Sequence, residues 1–217
     1  MYDRILVIGD IHGEFDKFLS LYEQLDFHPQ QDLLIFLGDY IDRGDKSLQV
    51  LEWMYQHKDE KNIIMLRGNH EQMMLDYFSE HDTSWLWNGG DETLHDLQEC
   101  SPDECARLLK FVKKLPLKFN LTVGEKDYFF CHAGVDPHIP LDLQDNDTLL
   151  WIRKKYFDHY RGQVTIVSGH TYVGYIELGA TRPIVRDNMI FVDTGSYYPD
   201  GHISCIELFS HEIWQSK

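Results

Sequence analysis

A short polar segment that follows an apolar run holds the side chains best suited to chemistry. Residues 38–44 read Gly-Asp-Tyr-Ile-Asp-Arg-Gly, and the apolar residues 33–37 before them are typical of a buried strand. Ligands of open α/β sheets bind at the carboxyl ends of strands. Asp39 can hold one hard cation there or bridge two, and Arg43 offers a planar fork for a phosphate. Taken alone, the segment fits a surface turn with an Asp–Arg pair equally well.

The same arrangement occurs four more times, because other apolar runs also lead into glycine-containing turns with Asp, Asn or His. These turns are Gly9-Asp10-Ile11-His12-Gly13, Gly68-Asn69-His70-Glu71, His132-Ala133-Gly134 and Ser168-Gly169-His170-Thr171. Oxygen and imidazole ligands of these types suit manganese, iron or zinc. Five such strand ends predict that the turns converge on one metal site.

Together these motifs resemble those of the PPP family of metallophosphatases, within the wider calcineurin-like metallophosphoesterases. Gly-Asp-x-His-Gly, Gly-Asp-x-x-Asp-Arg-Gly and Gly-Asn-His-Glu occur here in the order of that family, and the five signatures run from Gly9 to Thr171. The short chain and its compact C-terminal part look most like the small bacterial and phage serine/threonine phosphatases.

The resemblance implies a site for two divalent cations. By motif, the first cation takes Asp10, His12 and Asp39, and the second takes Asp39, Asn69, His132 and His170, so that Asp39 bridges them. Manganese is the first expectation, and iron, zinc and magnesium are compatible with the same ligands. A hydroxide held by the two metals is then expected to attack the phosphoester.

The resemblance also implies roles for residues around the metals. His70 is expected to act as the general acid that protonates the leaving oxygen, and Asp42 is expected to bind its other ring nitrogen. The expected phosphate ligands are Arg43, Arg153, Asn69 and Arg67, with a salt bridge inside the strand as the alternative for Arg67. Asp193 is expected to support His170 as a hydrogen-bond acceptor.

Length and composition limit the class of protein. The chain has 217 residues, which predicts a single domain over residues 1–217, and its formal charge is −16 from 20 basic and 36 acidic side chains. Such acidity argues against a nucleic-acid partner. Four cysteines show no disulfide framework, and no signal peptide or membrane-length apolar run is seen, which predicts a cytoplasmic protein with no membrane contact. The expected oligomeric state is a monomer.

Apolar periodicity predicts the elements of the first half. Strands at 4–8, 33–37 and 63–66 alternate with helices at 15–25 and 47–57, an order that implies parallel strands. The segment 71–115 is predicted to be helical. It includes a capping box over residues 101–104 and two tryptophans, Trp85 and Trp87, for which core packing is expected. The turn Asn88-Gly89-Gly90 is expected to border the cleft.

The second half is predicted to be rich in strands. A hairpin is expected over 118–123 and 127–131, and a helix over 147–156. Short strands are expected at 164–167, 173–178, 184–187, 190–193 and 203–208. The pattern and the resemblance together predict a four-layer α/β/β/α sandwich of two mixed sheets flanked by helices.

The expected function is hydrolysis of phosphoserine and phosphothreonine in phosphorylated protein partners, with phosphotyrosine as a further substrate. The alternative is a diadenosine tetraphosphate hydrolase, because similar motifs occur in that relative. A metal-bound regulatory protein without turnover is disfavoured, because a binding protein has no need of the acid His70 with its partner Asp42.

Overall fold

The computed structural model describes residues 2–217, which form ten strands and eight α-helices. The strands are β1 (Arg4–Ile8), β2 (Asp32–Phe36), β3 (Ile63–Met65), β4 (Lys118–Val123), β5 (Lys126–Cys131), β6 (Thr165–Ser168), β7 (Ile184–Arg186), β8 (Met189–Phe191), β9 (Ser204–Glu207) and β10 (Ile213–Gln215). The helices are α1 (Phe15–Leu25), α2 (Ser47–His57), α3 (Asn69–Glu80), α4 (Asp91–Glu99), α5 (Pro102–Lys114), α6 (Asn146–Trp151), α7 (Lys154–His159) and α8 (Val173–Ile176).

The strands form two five-stranded mixed sheets. The order is β10-β9-β1-β2-β3 in the first sheet and β4-β5-β6-β8-β7 in the second. β1, β2 and β3 run parallel, as the alternation of strands and helices predicts. β5 and β6 are also parallel, whereas β4 and β5 form the predicted antiparallel hairpin.

The side chains of the strands divide the core into layers. Along β1, Ile5 and Val7 pack between the two sheets, while Leu6 and Ile8 pack against α1 to α5 on the other face. A third cluster lies between the second sheet and α6 to α8. Alternate side chains of the strands thus pack on opposite faces of each sheet, and both faces are buried. This confirms the predicted four-layer α/β/β/α sandwich.

The predicted strand at 173–178 is wrong, because this segment contains the short helix α8. The Glu177 N–H donates to the Val173 carbonyl at 2.9 Å, and the helix buries Val173 against the second sheet. The predicted helix over 147–156 is also interrupted. Ile152 is extended, with φ −61° and ψ 143°, and α7 starts only after Arg153. The sequence prediction missed β10 altogether.

The segment 71–115 is helical, as predicted, but consists of three helices. α3 starts at Asn69, and a turn with π-type hydrogen bonds, Leu86–Gly90, connects it to α4. Ser101 and Glu104 form the predicted capping box at the start of α5.

Within residues 2–217, no helix has the length and apolar character needed to span a membrane.

Candidate functional site

The predicted ligand residues lie together at one end of the sandwich. Asp10, Asp39 and Asn69 follow the parallel strands β1, β2 and β3 of the first sheet, and His132 and His170 follow β5 and β6 of the second. These side chains are between 0 and 6% exposed. The site therefore lies where the carboxyl ends of strands from both sheets meet.

The backbone at the site is unusual, because several non-glycine residues adopt the left-handed region. The φ angles are 48° at His12, 53° at Asp39, 74° at Asp42, 73° at Arg43 and 61° at His170. Such conformations cost free energy and are concentrated at functional sites. The loops are therefore held by their surroundings in shapes that aim the polar side chains inward.

Asp39 lies at the centre of the polar cluster. Its Oδ2 is 3.6 Å from Nε2 of His12, and its Oδ1 is 3.3 Å from Nε2 of His132. Two groups have ligand atoms within 4.8 Å of one another, namely His12, Asp39 and His70, and Asp39, His132 and His170. Because Asp39 belongs to both groups, its two oxygens are placed to serve two cations.

The protonation states of His12, His170 and Asp39 suit the binding of a cation. Burial, aided by neighbouring cationic groups, lowers the pKa of His12 and of His170 well below the usual value, so both rings are neutral. His12 uses Nδ1–H to donate to the Ile41 carbonyl at 3.0 Å, which leaves the lone pair on Nε2. The buried Nε2 of His170 has no partner within residues 2–217. Burial opposes ionisation of Asp39, but nearby histidines outweigh it and hold the pKa of that carboxyl well below its usual value.

Glycines let the backbone approach two of these carboxylates. A Cβ on Gly68 would lie 2.1 Å from Oδ1 of Asp39, and a Cβ on Gly169 would lie 2.2 Å from Oδ1 of Asp10. Any other residue would force these loops apart. An ionised Asp39 and the neutral imidazoles of His12 and His170, held this closely, form a donor set that a divalent transition metal accepts.

Asp10, Asn69 and His132 also make hydrogen bonds within the site. Both oxygens of Asp10 accept the His170 N–H at 3.1 Å, and its Oδ2 is 4.0 Å from Nε2 of His12. Burial, together with the charge of Asp193, raises the pKa of Asp10 well above its usual value. Nε2 of His132 contacts Oδ1 of Asn69 at 2.8 Å. Although burial lowers the pKa of His132, the carboxylates of Asp39 and Asp10 raise it to about 9.

The predicted pairing of His70 with Asp42 is present. Nδ1 of His70 is 2.6 Å from Oδ2 of Asp42. Two further donors hold the carboxylate, since Nε1–H of Trp85 donates to Oδ2 at 2.7 Å and the Thr93 hydroxyl donates to Oδ1 at 2.8 Å. Burial raises the pKa of Asp42, and these hydrogen bonds partly offset the rise. His70 is therefore anchored with Nε2 toward the cluster.

Arg43 and Arg153 line the cleft above the cluster. Nη1 of Arg43 is 2.9 Å from Nε2 of His12, and Nη2 is 2.9 Å from Nε2 of His70. The backbone N–H of Arg43 donates to the Gly89 carbonyl at 3.1 Å, so the predicted turn packs against a residue of the cleft, but residues 88–90 do not themselves line the cavity. Nη1 of Arg153 donates to the His170 carbonyl at 3.1 Å. The cleft has a volume of ≈ 340 Å³.

Two of the predicted contacts are wrong. Arg67 does not reach the cleft, because its side chain lines a separate groove with Gln72 and Asp76 between α3 and α5. No salt bridge of Arg67 is found within residues 2–217 either. Asp193 does not hydrogen-bond His170. Its Oδ1 accepts the Gly195 N–H at 2.8 Å instead, because the tight turn after β8 folds back on that carboxylate.

The sequence prediction gave no role to Glu71, which is fully buried and joins the loops of the site. Its carboxylate accepts N–H groups from Asp39 at 2.9 Å, Tyr40 at 2.8 Å and Gly68 at 2.8 Å. Burial, together with the charge of Asp39, raises the pKa of Glu71 to about 7. Its place three residues into α3 after Gly68, where a capping glutamate is expected, was the signal available in the sequence.

Aromatic residues at the site were also missed. Tyr197 lies under the guanidinium of Arg43 at 4.5 Å, and Tyr172, Tyr175 and Tyr198 line the same cleft. The expectation of core packing holds for Trp85, which is buried, but is wrong for Trp87, which is 89% exposed. Trp87 lies in the Leu86–Gly90 turn, where the side chain of Leu86 packs against the core and that of Trp87 projects into solvent.

Two mixed sheets with a buried Asp-His-Asn cluster at their common end define a metallophosphoesterase fold. The chain belongs to the calcineurin-like phosphoesterase family, whose sequence profile matches residues 3–204. It is therefore a metallophosphoesterase, and membership implies a centre of two metals, for which the donor set described above is suited.

Named relatives fall into two activity groups. The chain is 32% identical to serine/threonine-protein phosphatase 2 of Salmonella typhimurium, over 91% of this chain and 89% of the relative. It is 34% identical to a symmetrical bis(5'-nucleosyl)-tetraphosphatase of Vibrio cholerae, over 60% of this chain and 44% of the relative. The fold matches a solved structure described as a candidate diadenosine tetraphosphatase, with a TM-score of 0.75, 19% identity and coverage of 99% of this chain and 95% of that one.

Proposed function

We propose that this metallophosphoesterase is a protein serine/threonine phosphatase of the PPP type that also accepts phosphotyrosine. The observation that carries the proposal is the Asp42–His70 pair, which directs an imidazole nitrogen toward the cleft beside Arg43. The similarity to the Salmonella phosphatase over nearly the whole of both chains supports it. In this proposal the enzyme is a cytoplasmic monomer, and phosphorylated proteins are its partners.

Two divalent cations, manganese by our proposal, would be held by Asp10, His12, Asp39, Asn69, His132 and His170. When bound, they neutralise charge on the phosphoryl oxygens and acidify water enough for it to attack at neutral pH. Asp39 lies in both groups of ligand atoms, which supports a bridging role for its carboxylate.

The arginines of the cleft would bind the phosphate. Arg43 and Arg153 both line the cavity and present guanidinium groups, which match phosphate oxygens in geometry and charge. Asn69 lies in the same cavity and can add an amide donor. Arg43 donates here to Nε2 of His70, so its guanidinium must turn toward the phosphate before that nitrogen can carry a proton.

His70 would then transfer the proton that the leaving group needs. As the P–O bond to the serine or threonine oxygen breaks, Nε2–H of His70 gives its proton to that oxygen, and the products are the free hydroxyl and inorganic phosphate. Asp42 accepts Nδ1–H of His70 at 2.6 Å and stabilises the protonated ring.

A dinucleotide tetraphosphatase is the second candidate, and the tyrosines of the cleft favour it. Tyr172, Tyr175, Tyr197 and Tyr198 line the cavity, and aromatic faces can stack on a purine base. The Vibrio cholerae relative and the solved structure with the TM-score of 0.75 carry names of this activity.

Parallel turnover assays test the proposal. The purified enzyme is supplied with manganese and given a phosphoserine peptide or diadenosine tetraphosphate at matched concentrations, and phosphate release and nucleotide products are measured. We expect a higher kcat/KM for the phosphopeptide. A kcat/KM that is higher for the dinucleotide would replace the proposed function with the second candidate. Arg67→Ala is a suitable control in both assays, because Arg67 lies outside the cleft.

A further inference from the structure

The outer strand of the first sheet has an open edge. β3 is the last strand of that sheet and pairs only with β2. The Leu66 N–H donates to the Phe36 carbonyl on the β2 side at 3.0 Å. Because backbone groups alternate in direction along a strand, the N–H of Met65 and the carbonyl of Ile63 point to the open side. Open edges of this kind can pair with another extended chain.

A mainly apolar groove runs along this edge. All three residues of β3, Ile63, Ile64 and Met65, line it, together with Phe111 and Leu115 of the α5 region, and its volume is ≈ 320 Å³. Successive side chains of a strand point to opposite faces, so three consecutive residues can share one groove only along the edge.

The chain itself already uses this edge at one point. The Arg67 N–H, on the same side as that of Met65, donates to the Pro116 carbonyl at 2.9 Å. The edge of β3 therefore already takes a backbone partner two residues beyond Met65.

The rim of the groove holds two lysines and one carboxylate, Asp59, on a strongly acidic protein. Lys58 and Lys114 line this groove and also the adjoining one along α5, which adds Arg107 and Lys110. Within residues 2–217, Lys110, Lys113 and Lys114 have no carboxylate within 4.0 Å, although the chain carries a net charge of −16. Lysines left without partners where acidic residues are so abundant offer positive charge to another molecule.

Two other cations are fixed beside these lysines. Lys58 lies over the Tyr55 ring at 4.2 Å, and Arg107 lies over the same ring at 4.5 Å. Arg107 also pairs with Glu52, and Lys58 pairs with Asp59 at 2.9 Å. The positive charge available to a partner therefore lies mainly on the outer side of α5.

We propose that the β3–α5 groove is a docking site for an extended, acidic peptide segment. The segment adds beside β3 through backbone hydrogen bonds, places an apolar side chain against Phe111 and Leu115, and sets Asp or Glu side chains against Lys110 and Lys114. β3 leads through residues 66–68 to Asn69 and His70 at the start of α3, so the groove lies along the strand that precedes the site. If the proposed function holds, the segment belongs to the phosphoprotein substrate and raises the local concentration of its phosphosite.

Binding of an unphosphorylated probe tests the docking site alone. The probe is a fluorescein-labelled peptide of alternating Val and Asp or Glu, and its Kd is measured by anisotropy for the full-length enzyme. We expect about tenfold weaker binding to Lys110→Glu/Lys114→Glu, since both charges are reversed. Lys126→Glu/Lys217→Glu makes the same change of net charge elsewhere on the exposed surface and should leave the Kd unchanged. N-methylation of alternate peptide residues should also weaken binding.

Several outcomes would overturn the docking site. These are no binding of the probe, equal weakening by both double variants, or insensitivity to N-methylation. Single-stranded nucleic acid that binds more tightly than the peptide, and is lost in the α5 variant, would replace the peptide as the occupant.

A kinetic measurement separates docking from the proposed function. The α5 variant should raise KM for a phosphoserine peptide that carries the acidic segment, and should leave KM unchanged for the same peptide without it and for p-nitrophenyl phosphate. Probe binding without turnover of any phosphopeptide would refute the proposed function and still support the docking site. Equal KM changes for both peptides would refute docking even if turnover is high.

Discussion

At the scale of single residues, Asp42 shows how hydrogen bonds hold a buried carboxylate so that it can orient a histidine. Its carboxylate is fully buried and accepts hydrogen bonds from the side chains of His70, Trp85 and Thr93. A buried carboxylate without such donors would protonate or destabilise the fold. The two donors other than His70 therefore favour the ionised form of Asp42 and fix its position, so that it can orient the imidazole.

Replacement of Trp85 tests this support. Trp85→Phe keeps most of the buried ring but removes Nε1–H, so we expect a loss of about 1–3 kcal/mol in the free energy of unfolding, as for other hydrogen bonds to charged groups. We also expect a lower kcat, because His70 loses orientation. Urea denaturation and steady-state kinetics measure the two effects. Trp87→Phe is the matched control and should change little, since Trp87 is exposed. Similar losses in both variants would contradict the role of Trp85.

Replacement of His70 tests the assignment of the general acid. General acid catalysis contributes about 10²–10⁴-fold. A serine alkoxide is strongly basic and needs the proton, whereas p-nitrophenolate is already stable. We therefore expect His70→Asn to lose much more kcat on a phosphoserine peptide than on p-nitrophenyl phosphate, and Asp42→Asn to do the same more weakly. Arg43→Ala should impair both substrates.

Metal analysis of the His70 variant distinguishes the alternative role. His70 also lies within 4.8 Å of ligand atoms of His12 and Asp39, so it could instead act as a ligand or support one. In that case His70→Asn would lower the metal content and slow both substrates equally, and the acid assignment would be wrong.

At the scale of elements, one ion pair fixes the register of the first two strands. Arg4 of β1 pairs with Asp32 of β2 directly across the ladder, at 2.5 Å between Nη2 and Oδ2. The same guanidinium donates to the carbonyls of Leu25 and Asp26 at the end of α1. One side chain therefore joins the start of both strands to the end of the helix that connects them.

The stability given by this pair should depend on pH. Burial alone would raise the pKa of Asp32, but Arg4 and the His28 N–H outweigh it and lower that pKa below the usual value. A lowered folded pKa contributes stability above the unfolded value, and this is lost as the pH falls through the folded value. We expect Asp32→Asn to cost about 1–3 kcal/mol at pH 7 and clearly less at pH 3.

Denaturation with urea in the presence of a chelator measures this difference without metal effects. Glu23→Gln, at an exposed position of α1, is the control and should change stability little at either pH. A cost of Asp32→Asn that is the same at pH 7 and pH 3 would show that packing, not the charge, is lost.

The elements were predictable where side-chain periodicity is strong. β1 and β2 are buried on both faces and read as continuous apolar runs, and Ser101 and Glu104 mark the start of α5 by their spacing. The segment 173–178 was predicted wrongly because its helix has only four residues, too few to show the 3.6-residue periodicity of apolar side chains. Tertiary packing decides the conformation of such a short segment.

The identity of the ligand residues could be predicted from the sequence, but the hydrogen bonds that hold them in place could not. The five turns were visible as motifs, and their strands bring the ligand residues together. The hydrogen bonds of Glu71, Trp85 and Thr93 join residues from separate segments, the latter two more than 40 positions from Asp42. Apart from the capping position of Glu71 after Gly68, no local pattern encodes such contacts. The same reason explains the wrong prediction for Arg67, because the direction of its side chain depends on packing between α3 and α5.

At the scale of the whole molecule, the candidate metal ligands join the two sheets. Asp10, Asp39 and Asn69 follow strands of the first sheet, whereas His132 and His170 follow strands of the second. Asp39 and His132 approach each other across this boundary at 3.3 Å. Cations bound here would therefore hold the sandwich together as well as serve the reaction.

Metal removal should consequently lower the stability of the entire fold. A ligand that binds only the folded state at 100 times its Kd stabilises it by about 2.7 kcal/mol. We expect elemental analysis to find two divalent ions per chain, and we expect EDTA to lower Tm and manganese to restore it. Asp39→Asn should weaken both sites and make Tm nearly insensitive to EDTA, whereas Asn69→Ala should chiefly empty the second. Asp158→Asn, at an exposed position of α7, should behave like wild type. A single tight ion, or a Tm that EDTA leaves unchanged in wild type, would contradict a two-metal centre that joins the sheets.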